Sequence, residues 1–443
     1  MSRRPCDVSN ASANVAADRR FGWPMRIADV VVKVTAGVEA EPEQQAFLLR
    51  EGVRAKTFAG DWRGVENDTL FVGDIKDAAS NRRAKVAAFD IDGTLILTKS
   101  GRTFPTNESD WKFFDAQVPQ KLRALYDDDN YSLVFITNQR GIETGRSTLD
   151  ALKTKFENIC AEVDRPVTIL ISPGAAKYRK PYIGMWLHLT ELHENAGASI
   201  DVENSFFVGD AAGRPATKTR KKDFSCSDRL FAMNAGIPFK TPEEMFLGQK
   251  ADKSFSLPTF DAKEFVERSE NATEGGPKSY ESDQKEIIVM VGFPGCGKSS
   301  FAQRRLKAYT AVNRDTLGTW QKCVAAARQA LEAGHSVVVD NTNPDKESRA
   351  RYTELAKELK VQCRCFHMDV SYEHASHNVK FRAIMGTDAL HKQVNAMVLN
   401  MYKSKFAKPE LSEGFSEIVS VKFEPVFKND HLRRTYQMHL CEK

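Results

Sequence analysis

The chain has 443 residues, more than one hydrophobic core ordinarily supports, so two or three domains are expected. Its residues are 41% hydrophobic and 28% charged, as in globular proteins, and no apolar run approaches the ~20 residues of a membrane-spanning helix. A net charge of +5 permits a polyanionic partner without requiring one.

The opening stretch, MSRRPCDVSNASANVAADRR, lacks the continuous apolar core of a secretory signal, and Asp7 and Asp18 count against a mitochondrial presequence. Residues 26–35, RIADVVVKVT, make at most one strand. The eight cysteines are scattered with no C-x-x-C pair, so zinc and disulfides are not indicated and a reducing compartment is expected. Cys363 and Cys365 alternate in VQCRCF and belong on one strand face as small core residues.

Apolar strands fit 85–89, 131–136, 166–171 and 205–208, with helical patterns between them. Each ends in a polar cluster: Asp90-Ile-Asp92, Thr137-Asn138, Ser172-Pro-Gly and Gly209-Asp210. Ligands of an open parallel sheet sit at the carboxyl ends of its strands, so these four clusters converge on one site. Asp90, fixed at a strand end, suits a nucleophile toward phosphorus. Asp92 is placed to protonate a leaving oxygen and later to deprotonate water. Two carboxylates beside a phosphate call for Mg²⁺, held by Asp90, Asp92 and the remote Asp210. Lys180 would neutralise the phosphoryl-aspartate, with Thr137 and Asn138 hydrogen-bonding its oxygens. The competing reading is a hairpin turn at Asp92-Gly93; it weakens because Thr137, Lys180 and Asp210 follow in order on successive strand ends.

Residues 251–285 are polar around a Gly-Gly-Pro, and 256–285 reads as linker. Next, strand 287–291 runs into GFPGCGKSS, which fits G-x-x-x-x-G-K-[ST]. Gly292, Gly295 and Gly297 let backbone N–H groups curl around phosphates, Lys298 reaches the outer phosphates, and Ser299 offers a hydroxyl to Mg²⁺, with Ser300 beside it. The loop alone implies ATP or GTP. Strand 310–313, helix 318–333, strand 336–339 and helix 345–360 follow, the last capped by Asn343 and Pro344. This is again a doubly wound α/β sheet.

Asp90-x-Asp92-Gly-Thr is the haloacid dehalogenase signature, and its pairing with a downstream P-loop resembles the polynucleotide kinase 3′-phosphatases. The likeness extends through AAFDIDGTLILTKSG, FITNQRGI, RKPYIGMW, FFVGDAAGRP, VGFPGCGKSS, VNRDTLG and DNTNPDKESRARY, from about residue 60 onward. The resemblance implies two α/β domains: a Rossmannoid phosphatase at 61–255 and a P-loop kinase at 286–443, after an extension at 1–60. It implies removal of 3′-phosphate and ATP-dependent phosphorylation of 5′-hydroxyl ends in DNA strand-break repair, with RNA ends as a second substrate class. A small-molecule kinase–phosphatase is the alternative. By the same resemblance Asp315 is the base on the 5′-hydroxyl, Arg382 a lid arginine over the phosphates, and Arg179 and Arg214 substrate contacts. A monomer is expected, in the nucleus or with a mitochondrial pool. Vertebrate relatives carry a forkhead-associated domain, a sandwich of ~100 residues. Only about 60 residues precede the resemblance here, so partners recruited through such a domain are not expected.

Overall fold

A computed structural model describes residues 60–442, apart from 176, 219, 272–278 and 387–393. The strand expected at 26–35 lies outside the described residues.

Two β-sheets organise the described chain. The first comprises β1 (Asp61–Val65), β2 (Leu70–Ile75), β3 (Lys85–Phe89), β6 (Tyr131–Asn138), β7 (Val167–Ser172), β8 (Phe206–Val208) and β9 (Phe239–Lys240) in the order β1-β2-β7-β6-β3-β8-β9. A two-stranded hairpin, β4 (Ile96–Leu97) with β5 (Lys112–Phe113), follows β3. β3 pairs in parallel with β6 on one side and β8 on the other. Crossovers therefore leave β3 in opposite directions, and its carboxyl end is the switch point where a crevice opens. That end is Phe89-Asp90.

The expectation of a wholly parallel sheet is corrected at one edge, where β1 and β2 add antiparallel. β1 and β2 are joined directly by residues 66–69, a hairpin connection that needs no crossover helix, and β2 then pairs with the distant β7. The second sheet is parallel throughout: β10 (Glu286–Val291), β11 (Thr310–Val312), β12 (Val337–Val339), β13 (Gln362–Asp369) and β14 (Glu417–Lys422) stand in the order β11-β12-β10-β13-β14. β10 is central and is buried along its whole length, so its apolar EIIVMV run is what a doubly covered parallel strand requires. Cys363 and Cys365 are buried together on one face of β13, as the alternation predicted.

Two local expectations change. Segment 256–285 holds a helix, Ala262–Asn271, whose Val266 packs on Tyr436. The cap of helix Lys346–Leu359 is Asp345, whose carboxylate accepts from Ser348 N, and not Asn343. Asn343 instead takes a left-handed backbone (φ 43°) and donates its amide to Met290 O at 2.7 Å, bracing the end of β10.

The two halves share a core. Ile384 and Leu440, from beyond β13, are buried in the cluster that contains Val86, Val134 and Phe207 of the first sheet and Phe231 of the helix Ser227–Ala235, with Phe381, Met385 and Met438 packed against it. A chain ending near residue 255 would expose this face, at about 1.5–3 kcal/mol for each large side chain lost from the core. Such a fragment is expected to melt below the full chain and to bind an apolar dye. Equal melting temperature and dye binding would show that the face needs no cover.

Candidate active sites

The crevice at β3 gathers three carboxylates and one ammonium. The Asp90 amide donates to Val208 O at 2.8 Å, which pins the strand end against β8. Asp210 follows β8, and its amide is held by the buried Thr94 hydroxyl at 2.9 Å. Gly93 makes this approach possible: it sits at φ 88°, and a Cβ there would run into the Asp210 carboxylate.

The third carboxylate, Asp228, was missed in the sequence. It occupies the first turn of helix Ser227–Ala235, where the helix dipole favours an anion, and accepts from Ala211 N at 3.1 Å. Its only signal was an acidic residue at a helix start, in SCSDRLF, with no strand end to mark it.

Asp90, Asp210 and Asp228 each offer an oxygen within 4.8 Å of the others. Lys180 enters the cluster from the side. Its Nζ donates to Asp90 Oδ1 at 2.7 Å, Asp228 Oδ1 at 2.8 Å and Ile136 O at 2.8 Å, which uses all three ammonium hydrogens. Burial pushes the Asp90 carboxyl up to about 7 against the pull of Lys180, with Asp228 adding to the rise. Burial, then Asp228 and Asp90, lift Asp210 well above the carboxylate range. Burial opposes the charge on Lys180, but Asp228 and Asp90 outweigh it and hold the ammonium above its usual range. Full ionisation of the three carboxylates against one ammonium would leave two negative charges uncompensated, which a divalent cation would balance.

Asp92 does not join this cluster, contrary to its expected role as a metal ligand. Its two oxygens accept from Lys155 Nζ at 2.8 Å and Gln139 Nε2 at 2.7 Å, and its side chain is 47% exposed. Thr137 is buried at the end of β6, and its hydroxyl accepts from the same Gln139 amide at 2.9 Å. Asn138 grips the backbone of Lys180 from both sides, accepting from its N–H at 3.0 Å and donating to its C=O at 3.2 Å. It therefore positions Lys180.

Arg214 is corrected. The guanidinium is buried and donates to Asp223 (2.8 and 3.3 Å), Glu243 (2.7 Å) and the Asp210 carbonyl (3.4 Å), so it stiffens the loop after β8 and its charge is already paired. Arg179 lies 3.6 Å from the Glu442 carboxylate and is still partly exposed.

The loop after β10 forms the other site. Gly295 and Gly297 lie at φ 84° and 89°, and a Cβ on Gly295 would meet Val379 Cγ2 at 2.7 Å. Lys298 and Ser299 open helix Lys298–Arg305, with Ser300 in the same turn. Lys298 is buried and donates to the loop carbonyls of Gly292 (3.0 Å) and Phe293 (2.8 Å).

At the end of the neighbouring β12 lies Asp340, in the Asp340-Asn341-Thr342-Asn343 stretch that the resemblance marks as functional but to which no site role was assigned. It is buried, Asn313 donates weakly to its Oδ2 at 3.3 Å, and its Oδ1 has no hydrogen-bond partner among the described residues. A buried carboxylate oxygen left so is costly, and a cation near Ser299 would satisfy it. Asp315 is exposed in the first turn of helix Arg314–Leu317, just past β11; the cap of that helix is Asn313, which accepts from Asp315 N at 2.6 Å, so the Asp315 carboxylate is not needed there. Arg382 stands in the last turn of helix Tyr372–Met385, and Asn378, one turn earlier, donates to Gly295 O at 2.9 Å.

A nucleophile-type aspartate at a switch point, with a lysine and two further carboxylates, defines a phosphatase of the haloacid dehalogenase type, and the second sheet defines a P-loop phosphotransferase. Comparison with known proteins narrows this. The polynucleotide kinase 3 phosphatase family model matches residues 85–246 and an AAA domain model matches 311–409. The chain is 39% identical over 362 residues to the bifunctional polynucleotide phosphatase/kinase of Schizosaccharomyces pombe, covering 81% of this chain and 84% of that one. It is 33% identical over 390 residues to a putative bifunctional polynucleotide phosphatase/kinase of Acanthamoeba polyphaga mimivirus, covering 82% and 90%. Polynucleotide 3′-phosphatase of Saccharomyces cerevisiae is 30% identical over 215 residues, covering 37% of this chain and 87% of that one. The chain belongs to the bifunctional polynucleotide phosphatase/kinase family.

Proposed function

We propose that the protein prepares broken DNA ends for ligation, removing a 3′-phosphate at the first site and phosphorylating a 5′-hydroxyl from ATP at the second, with Mg²⁺ at both. The observation that carries the proposal is the Asp90–Lys180–Asp228–Asp210 cluster at the switch point of one sheet, joined to a P-loop on the other.

At the phosphatase site an Asp90 oxygen attacks phosphorus and the P–O3′ bond breaks. Asp92 protonates the departing oxygen, then takes a proton from the water that cleaves the acyl phosphate and regenerates Asp90. Asp92 reaches the leaving group by turning from Lys155 and Gln139, a rotation its exposure permits. Lys180 balances charge beside the phosphoryl group. Asp90, Asp210 and Asp228 would hold the Mg²⁺, which supplies the remaining neutralisation. At the kinase site Asp315 accepts the proton of the 5′-hydroxyl, Lys298 and Arg382 face the phosphates, and Ser299 with Asp340 would hold the second ion.

Asp90 and Asp210 keep their protons to higher pH in the folded chain than in the unfolded one. The Asp90 contribution to stability is complete below about pH 4, the unfolded carboxylate range, and is lost as pH rises through about 7; Asp210 acts in the same direction. Within that window protons compete with a cation. The gain in melting temperature on adding Mg²⁺ is therefore expected to be larger at pH 8 than at pH 6; a larger gain at pH 6 would contradict the assignment.

The substrate is tested by supplying oligonucleotide ends of DNA and RNA beside small sugars and nucleosides, at two salt concentrations. DNA ends should be preferred, with affinity falling as salt rises because phosphate contacts release counterions. Equal use of a small acceptor, without salt dependence, would remove the polynucleotide assignment. Nuclear residence as a monomer belongs to the same proposal; a fluorescent fusion found only outside nuclei and mitochondria would remove that part.

A further inference from the structure

Helix Asp430–Tyr436 and the residues after it belong by chain order to the kinase half, yet they are bonded into the supports of both sites. At one end the Tyr436 hydroxyl donates to Asn378 Oδ1 at 2.6 Å, and Asn378 donates to the P-loop carbonyl of Gly295. At the other end His439–Glu442 lie against the phosphatase. His439 N donates to Asn234 Oδ1 at 2.9 Å, while the Asn234 amide donates to His439 O and to Pro181 O, each at 2.9 Å. Leu440 is buried in the phosphatase core, Glu442 O accepts from Cys226 Sγ at 3.0 Å, and the Glu442 carboxylate pairs with Arg179.

The stretch Arg179–Pro181 is thus clamped from two directions. Asn138 of its own sheet holds Lys180 on one side. The segment from the other half holds Arg179 directly and Pro181 through Asn234 on the other. Between them stands Lys180, whose three hydrogens are all committed at 2.7–2.8 Å, so the ammonium has no slack. Asn234 also lies on the helix that carries Asp228, one of the two carboxylates Lys180 must meet.

We propose that His439–Glu442 are positioning residues for the phosphatase reaction: supplied by the kinase half, they fix the Arg179–Pro181 stretch and so hold the Lys180 ammonium between Asp90 and Asp228. The proposal rests on the phosphatase reading above, which the unaltered protein's activity on a 3′-phosphate end tests separately. Misplacing a reacting group by about 1 Å costs up to 10²-fold in rate, so a loosened clamp should appear in turnover.

The test uses two variants of the full chain, Asn234→Ala and a chain stopped after Met438, assayed for both activities and for melting temperature. Phosphatase kcat on a 3′-phosphate oligonucleotide is expected to fall about tenfold or more, with KM nearly unchanged and kinase turnover intact. Unchanged phosphatase kcat in both variants would overturn the proposal. A rise in KM alone would overturn it too, by assigning the segment to substrate binding. So would a parallel loss of both activities that follows a lowered melting temperature, which is what simple core packing predicts.

Discussion

Asp90→Asn is expected to abolish release of 3′-phosphate, by on the order of 10⁴–10⁶-fold, and to leave 5′-phosphorylation within about twofold of the parent. The amide is nearly the size of the carboxylate, so the fold has little to lose, and the Val208 bond to the Asp90 backbone is untouched. What disappears is the nucleophilic oxygen at the switch point and one of the two anions held by Lys180. The second sheet, with its own P-loop, shares no catalytic group with Asp90. Steady-state assays of both ends on the same preparation check this, and loss of both activities in a folded protein would break the two-site account.

Asp315→Ala and Lys298→Ala should both depress the kinase, but in different ways. Removal of a general base typically costs 10²–10⁴-fold, and Asp315 is exposed with its cap position already filled by Asn313, so truncation leaves the loop and ATP binding largely as they were. Lys298 is buried and donates to the loop's own carbonyls, so Lys298→Ala removes a charge at the phosphates and two bonds that shape the cradle. ATP affinity and turnover should both fall. Nucleotide binding by calorimetry separates the cases: near-normal affinity in Asp315→Ala and weakened affinity in Lys298→Ala. The reverse pattern would contradict the assigned roles.

The reactive groups were legible because strand-end chemistry is local. An apolar run followed by Asp-x-Asp-Gly or Gly-Asp places carboxylates at one rim of a parallel sheet, and Asp90 and Asp210 lie there with Lys180. Partners distant in sequence were not legible. Asp228 reaches the cluster from a helix start, and Asp340, though in a stretch that looked functional, gains a specific role only from its orphaned oxygen. Arg214 was assigned as a substrate contact through the resemblance; Asp223 and Glu243 neutralise it, and neither pairing has a sequence signature. Asn343 and Asp345 are both good caps two residues apart, and the left-handed turn at Asn343 decided between them. The shared core around Ile384 and Leu440 was not legible, since a polar linker between two strand–helix patterns does not reveal that later residues fold back onto the earlier sheet.

The central claim is that one chain repairs both sides of a break through two separate sites. The most direct measurement uses a nicked duplex with a 3′-phosphate facing a 5′-hydroxyl, ATP and Mg²⁺, and follows both ends in the parent, Asp90→Asn and Asp315→Ala proteins. The parent is expected to convert both ends, Asp90→Asn only the 5′ end, and Asp315→Ala only the 3′ end. A parent that leaves either end untouched, or a single substitution that silences both in a folded protein, would contradict it.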